Sequence, residues 1–195
     1  MKKMLITLTA AFSFAFLFTN DAKAATTHEV KRGDSLYLIG QEYGVSVHAL
    51  KEANTKSGNM IMVGETLSIP ESISVEEMDL LARLVRAEAV GEPYAGKVAV
   101  ATVVLNRVDH KDFPNTITEV IQEVTPSGHY AFTPYMNGEI NQAADEESIR
   151  AVREALAFNG QGQGSIFFYN PAIATNHWNA TRTETVTIGN HVFSK

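Results

Sequence analysis

Apolar and polar positions change their spacing repeatedly along this chain, and each change marks a different element. Met4 to Phe18 is an almost unbroken apolar run behind the cations Lys2 and Lys3. From Thr27 to Val30 the pattern is that of a short strand, and Gly33-Asp34-Ser35 reads as a turn into a helix capped by Asp34 or Ser35. Leu36, Ile39 and Tyr43 give that helix its apolar face, and Gly44 stops it. Ser46 opens a second helix carrying Val47, Leu50 and Ala53, and Thr66-Leu67-Ser68-Ile69 alternates as a strand that ends at Pro70. These residues predict a β-α-α-β unit over 27–70, with a thin core of its own.

Beyond Pro70-Glu71-Ser72 the period becomes helical. Ser74 and Glu77 form a capping box for a helix running to about Ala89 or Val90, where Gly91-Glu92-Pro93 ends it. A second helix is expected from about Pro93 to Val108. Its segment Val98–Leu105 is apolar all round apart from Thr102, the pattern of a buried central helix. Thr116 and Glu119 form another capping box, and a further helix is expected from about Asp145 to Phe158. The end of the chain turns to strands: Ile166-Phe167-Phe168-Tyr169, then a hairpin from Thr183 to Phe193 broken by Gly189-Asn190. The expected class is α+β: a βααβ module, then a mostly helical domain over 73–195 with a small β element.

Composition narrows the setting. The 15-residue run Met4–Phe18 is shorter than the roughly 20 residues that span a bilayer. It is followed by Ala22-Lys23-Ala24, so residues 1–24 read as a signal peptide cleaved before Ala25, and an exported product is expected. Cysteine is absent, which excludes a lipoprotein anchor and a disulfide framework. Without residues 1–24 the chain holds 13 basic and 21 acidic side chains, a formal charge of −8. That balance argues against nucleic acid as a partner. No further segment is apolar enough to imply a membrane, and a monomer is expected.

One carboxylate departs from the pattern. At about 100° per residue, Met78, Leu81, Leu84 and Val85 form one stripe of the helix that begins at Ser74. Glu76, Asp79, Arg83 and Arg86 lie opposite, as a solvated face would. Glu88 stands four residues after Leu84 and three after Val85, within the apolar stripe and near the helix C-terminus. Partial burial and the negative end of the helix dipole both raise a carboxyl's pKa, as a general acid acting on a glycosidic oxygen at neutral pH requires. A helix-end Glu that reaches water or pairs with an Arg would show the same spacing.

Two resemblances bear on these residues. Val30-Lys31-Arg32-Gly33-Asp34-Ser35-Leu36, Tyr43-Gly44-Val45-Ser46, Asn54 and Val63–Pro70 resemble a LysM module. That resemblance implies binding of N-acetylglucosamine-containing glycans, peptidoglycan here. Its groove would lie between the loop holding Gly33, Asp34, Ser35 and Leu36 and the loop Asn59–Val63 with Met60, Ile61 and Met62. Leu84–Ala89, Gly91-Glu92-Pro93, Gly96–Ala101 and Asn106-Arg107-Val108 resemble the SleB/CwlJ family of spore cortex-lytic wall hydrolases. So do Phe132-Thr133-Pro134, Asn137-Gly138, Phe167–Pro171, Trp178, Arg182 and Gly189–Phe193. The resemblance implies a lysozyme-related fold, cleavage between N-acetylmuramic acid and N-acetylglucosamine, and Glu88 as the catalytic acid. It implies no cofactor and no metal. Cortex and vegetative wall stay open as substrates. Tyr130, Phe132, Tyr169, Asn170, Trp178 and Arg182 are the candidate substrate contacts, although Phe132, Phe167 and Phe193 also suit a core.

A hydrolase needs a second carboxylate, about 5 Å away for retention and roughly 6.5–9.5 Å for inversion. Glu92, Asp109, Asp112 and Glu139 are candidates that the sequence does not rank. A lytic transglycosylase needs only one: the same Glu protonates the leaving oxygen and then deprotonates the sugar's 6-hydroxyl. Two other functions remain open at this level. A zinc amidase would draw ligands from His110, His129, His177 and His191, which show no paired spacing. A glycan-binding wall or coat protein without activity would need only residues 27–70.

Overall fold

The computed structural model describes residues 26–125, 128–159, 163–174 and 178–195. The expected signal peptide, 1–24, and His177 lie outside them. Two hydrophobic cores form. The smaller gathers Val30, Leu36, Ile39, Val45, Leu50, Leu67 and Ile69. It is built from β1 (Thr27–Glu29), α1 (Leu36–Tyr43), α2 (Val47–Ala53) and β2 (Thr66–Ser68), with β1 and β2 antiparallel and His28 opposite Leu67. Ser35, not Asp34, caps α1 by accepting from the Leu38 amide, and Gly44 ends it in the left-handed region at φ 65°. Asp34 is used elsewhere: it accepts from His28 Nε2 at 2.8 Å and from the Lys31 amide at 2.7 Å. Ser46 caps α2.

The larger core surrounds α4 (Tyr94–Val108), the apolar helix. It packs on α3 (Val75–Glu88), α5 (Ile117–Gln122) and α7 (Glu146–Ala157). Val100, Ala101, Val103 and Val104 are fully buried there together with Leu81, Leu84, Val85, Val120, Ile121 and Val152. Thr102, the exception in the apolar run, donates its hydroxyl to the Val98 carbonyl at 2.8 Å and so brings no unpaired polar group inside. Ser74, Thr116 and Asp145 cap α3, α5 and α7 through their side-chain oxygens, as the sequence predicts for the first two. A short helix α6 (Thr133–Asn137) and single 3-10 turns at Glu139–Asn141 and Trp178–Thr181 have no counterpart in the sequence reading. They are too short to display a period.

Three antiparallel strands close the domain in the order β3 (Phe167–Tyr169), β5 (His191–Ser194), β4 (Glu184–Ile188). The expected hairpin is therefore joined by the Phe167–Tyr169 strand, with Phe168 opposite Phe193. Two side chains at the end of α4 tie helix to sheet: Asn106 donates to the Ser165 carbonyl at 2.9 Å and Arg107 Nε to the Ile166 carbonyl at 2.8 Å. At the hairpin turn Gly189 has φ 59°, and a Cβ there would collide with the Glu92 carboxylate and the Pro93 ring. The two modules touch through α1 and α7, where the Tyr37 and Phe158 rings lie 4.7 Å apart.

Candidate active site

Glu88 occupies the last turn of α3, and its side chain enters the floor of an open cleft of about 840 Å³. Leu84 and Val85, on the same stripe, are fully buried beneath it. The residue keeps an opening to the cleft while protein atoms surround the carboxyl. Burial raises its pKa from 4.5 to about 7, against the opposing pull of the Arg107 charge. Burial thus favours the protonated carboxyl near neutral pH, the state a general acid needs.

Arg107 is the second charge on that floor, and the sequence reading quoted it only as part of a motif. It is buried, and its guanidinium lies 5.0 Å from the Phe113 ring centroid, 4.9 Å from Phe132 and 5.7 Å from Phe167. Three aromatic faces and the bond to Ile166 hold the group, and among the described residues no carboxylate pairs with it directly. Burial lowers its pKa to about 10, partly offset by the charges of Glu123 and Glu88. It remains a cation, so it stabilises the ionised form of Glu88 and sets how far that carboxyl is raised. The signal was present in the sequence: Arg107 stands four residues after Val103 and three after Val104, within the buried stripe of α4.

The candidate substrate contacts separate into groups. Tyr130, Tyr169, Asn170 and Trp178 line the cleft. Tyr130 packs at 5.2 Å on Tyr135, and Trp178, 49% exposed, stands edge-on to Phe167 at 5.2 Å. Phe132 also borders the cleft but is only 2% exposed, so it serves as core beneath Arg107 rather than as a platform for a sugar. Arg182 is not among the lining residues; its guanidinium lies 3.8 Å from the Trp178 ring centroid and 4.9 Å from that of Phe167, bracing the indole.

The candidate second carboxylates are also sorted. Glu92 is buried and accepts from the Asn190 amide and Asn190 Nδ2, both at 3.0 Å. It pins the β4–β5 turn to the start of α4 and does not reach the cleft. Asp109 accepts from Asn159 at 3.2 Å, and Asp112 pairs with Lys111 on the surface. Glu139 does line the cleft, held at 3.4 Å by Arg86. Glu123, which the sequence did not single out, lines it too, just beyond α5. The Arg83–Arg86 face of α3 departs from the expectation of a solvated surface. Arg83 donates to the Ile140 carbonyl at 3.2 Å and Arg86 to the Glu139 carbonyl at 2.7 Å, so this face clamps the segment after α6.

In the small module Met60 and Met62 are 80% and 69% exposed, and Gly33 is exposed as well. Leu36 is buried and Ile61 packs against the small core, which makes these two fold residues rather than surface contacts. Ser35 and Asp34 are engaged as cap and as partner of His28. Among the described residues no group of three or more His, Cys, Asp or Glu is placed to hold a metal ion. His110 accepts from the Asp112 amide, while His129 and His191 lie on the cleft wall.

A buried acid at the base of an aromatic-walled cleft, with a βααβ module attached, defines a two-module α+β protein. The cell wall hydrolase family model matches residues 91–194, and the chain belongs to that family. The LysM domain model matches residues 28–70. The spore cortex-lytic enzyme of Halalkalibacterium halodurans is 35% identical over 143 residues, covering 73% of this chain and 42% of that protein. That of Bacillus cereus is 34% identical over 152 residues, covering 78% and 57%. The chain thus spans about half the length of the curated relatives it matches. Among solved structures, the catalytic domain of the germination-specific lytic transglycosylase SleB from Bacillus anthracis is similar at a TM-score of 0.58 and 37% identity. It covers 65% of this chain and all of that domain. The catalytic domain of the Bacillus cereus SleB protein gives 0.57 and 38%. The resemblances read from the sequence are thereby borne out at the level of family and fold. Glu88 lies three residues ahead of the range matched by the hydrolase family model.

Proposed function

We propose that this chain is an exported peptidoglycan-degrading enzyme that cleaves the glycan between N-acetylmuramic acid and N-acetylglucosamine as a lytic transglycosylase, with Glu88 as its acid and base. The observation that carries this reading is the Glu88 carboxyl, raised to about 7 by burial at the floor of an open cleft lined by Tyr130, Tyr169 and Trp178. The names of the similar spore cortex-lytic enzymes and of the SleB domains favour cortex as substrate and germination as setting. The LysM module would hold glycan strands through the exposed loop at Met60–Met62, and residues 1–24 would direct export.

In this reading protonated Glu88 gives its proton to the glycosidic oxygen as the bond from the muramic C1 breaks. The resulting carboxylate, steadied by the Arg107 charge, takes the proton of the muramic 6-hydroxyl, whose oxygen then bonds to C1. The products are a 1,6-anhydromuramic end and a free 4-hydroxyl on N-acetylglucosamine, and Glu88 is protonated again. Two further carboxylates on the cleft wall, Glu123 and Glu139, support a second reading, in which one of them activates water and the product is a reducing end.

Mass spectrometry of cortex and vegetative peptidoglycan digested by residues 25–195 decides between them. Anhydromuramic ends made by the parent and absent with Glu88→Gln are the expected result. Reducing ends would favour the hydrolase. Free peptides on intact glycan, abolished by chelators, would mean an amidase. Activity undiminished by Glu88→Gln would overturn the role given to Glu88.

A further inference from the structure

The cleft contains a polar group for which neither the fold nor the proposed chemistry has a use. His191, the first residue of β5, borders the cleft although the residue is only 8% exposed. Its ring is fixed on its apolar sides, 5.2 Å from Phe168 and 6.1 Å from Phe193. Its backbone is set by the pairing with Ile188 and by Asn190, which Glu92 grips through two hydrogen bonds. Nδ1 is sealed from solvent and has no hydrogen-bond partner among the described residues.

Buried polar groups are ordinarily paired, and a ring serving only to fill space there could be phenylalanine at no such cost. A neutral imidazole carries one N–H donor and one bare acceptor nitrogen. Either nitrogen left unpaired inside costs about 1–3 kcal/mol, and a proton on Nε2, the nitrogen that is not sealed, turns the one N–H donor to the open side where an acceptor can reach it. Burial lowers the pKa of His191, opposed by the Glu92 charge, so the ring is held neutral and keeps that single donor. We infer that His191 is a substrate-binding residue of the cleft, donating a hydrogen bond from Nε2 to an acceptor oxygen of the bound glycan. This rests on the glycan-cleaving reading above. The flat faces of Phe168 and Tyr169 beside it suit a pyranose ring, and the acetamido carbonyl is the strongest neutral acceptor such a sugar offers.

Trp178 is the single tryptophan of the chain and lines the cleft, so its fluorescence reports cleft occupancy separately from any binding to the LysM module. Glu88→Gln protein, which keeps its substrate intact, is titrated with a defined tetrasaccharide of alternating N-acetylglucosamine and N-acetylmuramic acid. The imidazole nitrogens are followed by NMR. In the free protein the His191 proton is expected on Nε2, and this resonance moves on titration. His191→Phe, which keeps a ring against Phe168 and Phe193, should weaken binding roughly tenfold, the worth of one hydrogen bond to a neutral group. His191→Gln, whose amide nitrogen falls near Nε2, should recover most of it. A tetrasaccharide with free amines in place of acetamides should lose affinity for the parent but be indifferent to His191→Phe. A Trp178 response with an unmoved His191 resonance and equal affinity for His191→Phe would overturn the inference alone. No Trp178 response at any concentration would overturn the glycan-cleaving reading, and this inference with it.

Discussion

The raised pKa of Glu88 has a consequence for stability that can be measured without any substrate. Its carboxyl titrates at about 7 in the folded protein and near the ordinary 4.5 once the chain unfolds. The folded state therefore binds the proton more tightly. Below pH 4.5 both states are protonated and Glu88 is neutral to stability. Between pH 4.5 and 7 the unfolded chain releases its proton while the folded one keeps it, and stability falls with rising pH. Well above 7 the loss levels off, and a rise from 4.5 to about 7 corresponds to about 3 kcal/mol at most. Glu88→Gln removes the ionisation and nearly preserves the shape. Denaturant unfolding of parent and variant from pH 4 to 8.5 should show a small constant difference at the acid end. The variant should then gain steadily through pH 4.5–7, reaching about 3 kcal/mol, a sizeable part of a domain's total stability. A pH-independent difference would mean that the carboxyl is hydrated rather than buried, and the case for a tuned acid would fail. A difference of the opposite slope would mean that Arg107 outweighs burial.

Four further outcomes follow from the same geometry. The kcat/KM of wall digestion should fall as pH rises through about 7, as Glu88 loses its proton. In Arg107→Gln that alkaline limb should move upward, because the cation that lowers the Glu88 pKa is gone; an unmoved limb in folded protein would separate the two charges. Trp178→Ala should raise KM several-fold with a smaller change in kcat, and Arg182→Ala should do the same more weakly, since Arg182 acts by bracing the indole. Gly189→Ala places a Cβ against the Glu92 carboxylate at positive φ, and should cost roughly 2 kcal/mol or more in denaturant unfolding.

What the sequence disclosed follows from how far apart the contributing residues lie. Capping boxes, the α4 core helix and the position of Glu88 are local: each is a spacing of three, four or seven residues that one helix displays by itself. The opposite wall of the cleft is assembled across the chain. Arg107 meets the Ile166 carbonyl 59 residues on and the Phe167 ring next to it, and Arg86 reaches Glu139 across 53. No periodicity encodes such pairings, so Arg83 and Arg86 passed for a solvated face and Glu92 for a possible second acid. Arg107, by contrast, is as local as Glu88: it stands within the buried stripe of α4 as Glu88 stands within that of α3.

The two residues belong to one device. Glu88 alone in an apolar pocket would hold its proton too firmly to act later as a base, and Glu88 in an ion pair with a mobile cation would lose it too early. Arg107 is a buried cation held by rings rather than by a carboxylate, so its charge reaches Glu88 without a covering hydrogen bond. That arrangement leaves the acid near the middle of the physiological range, able both to give a proton and to take one back. A single carboxylate serving two steps requires this poise, which supports the one-acid reading proposed above.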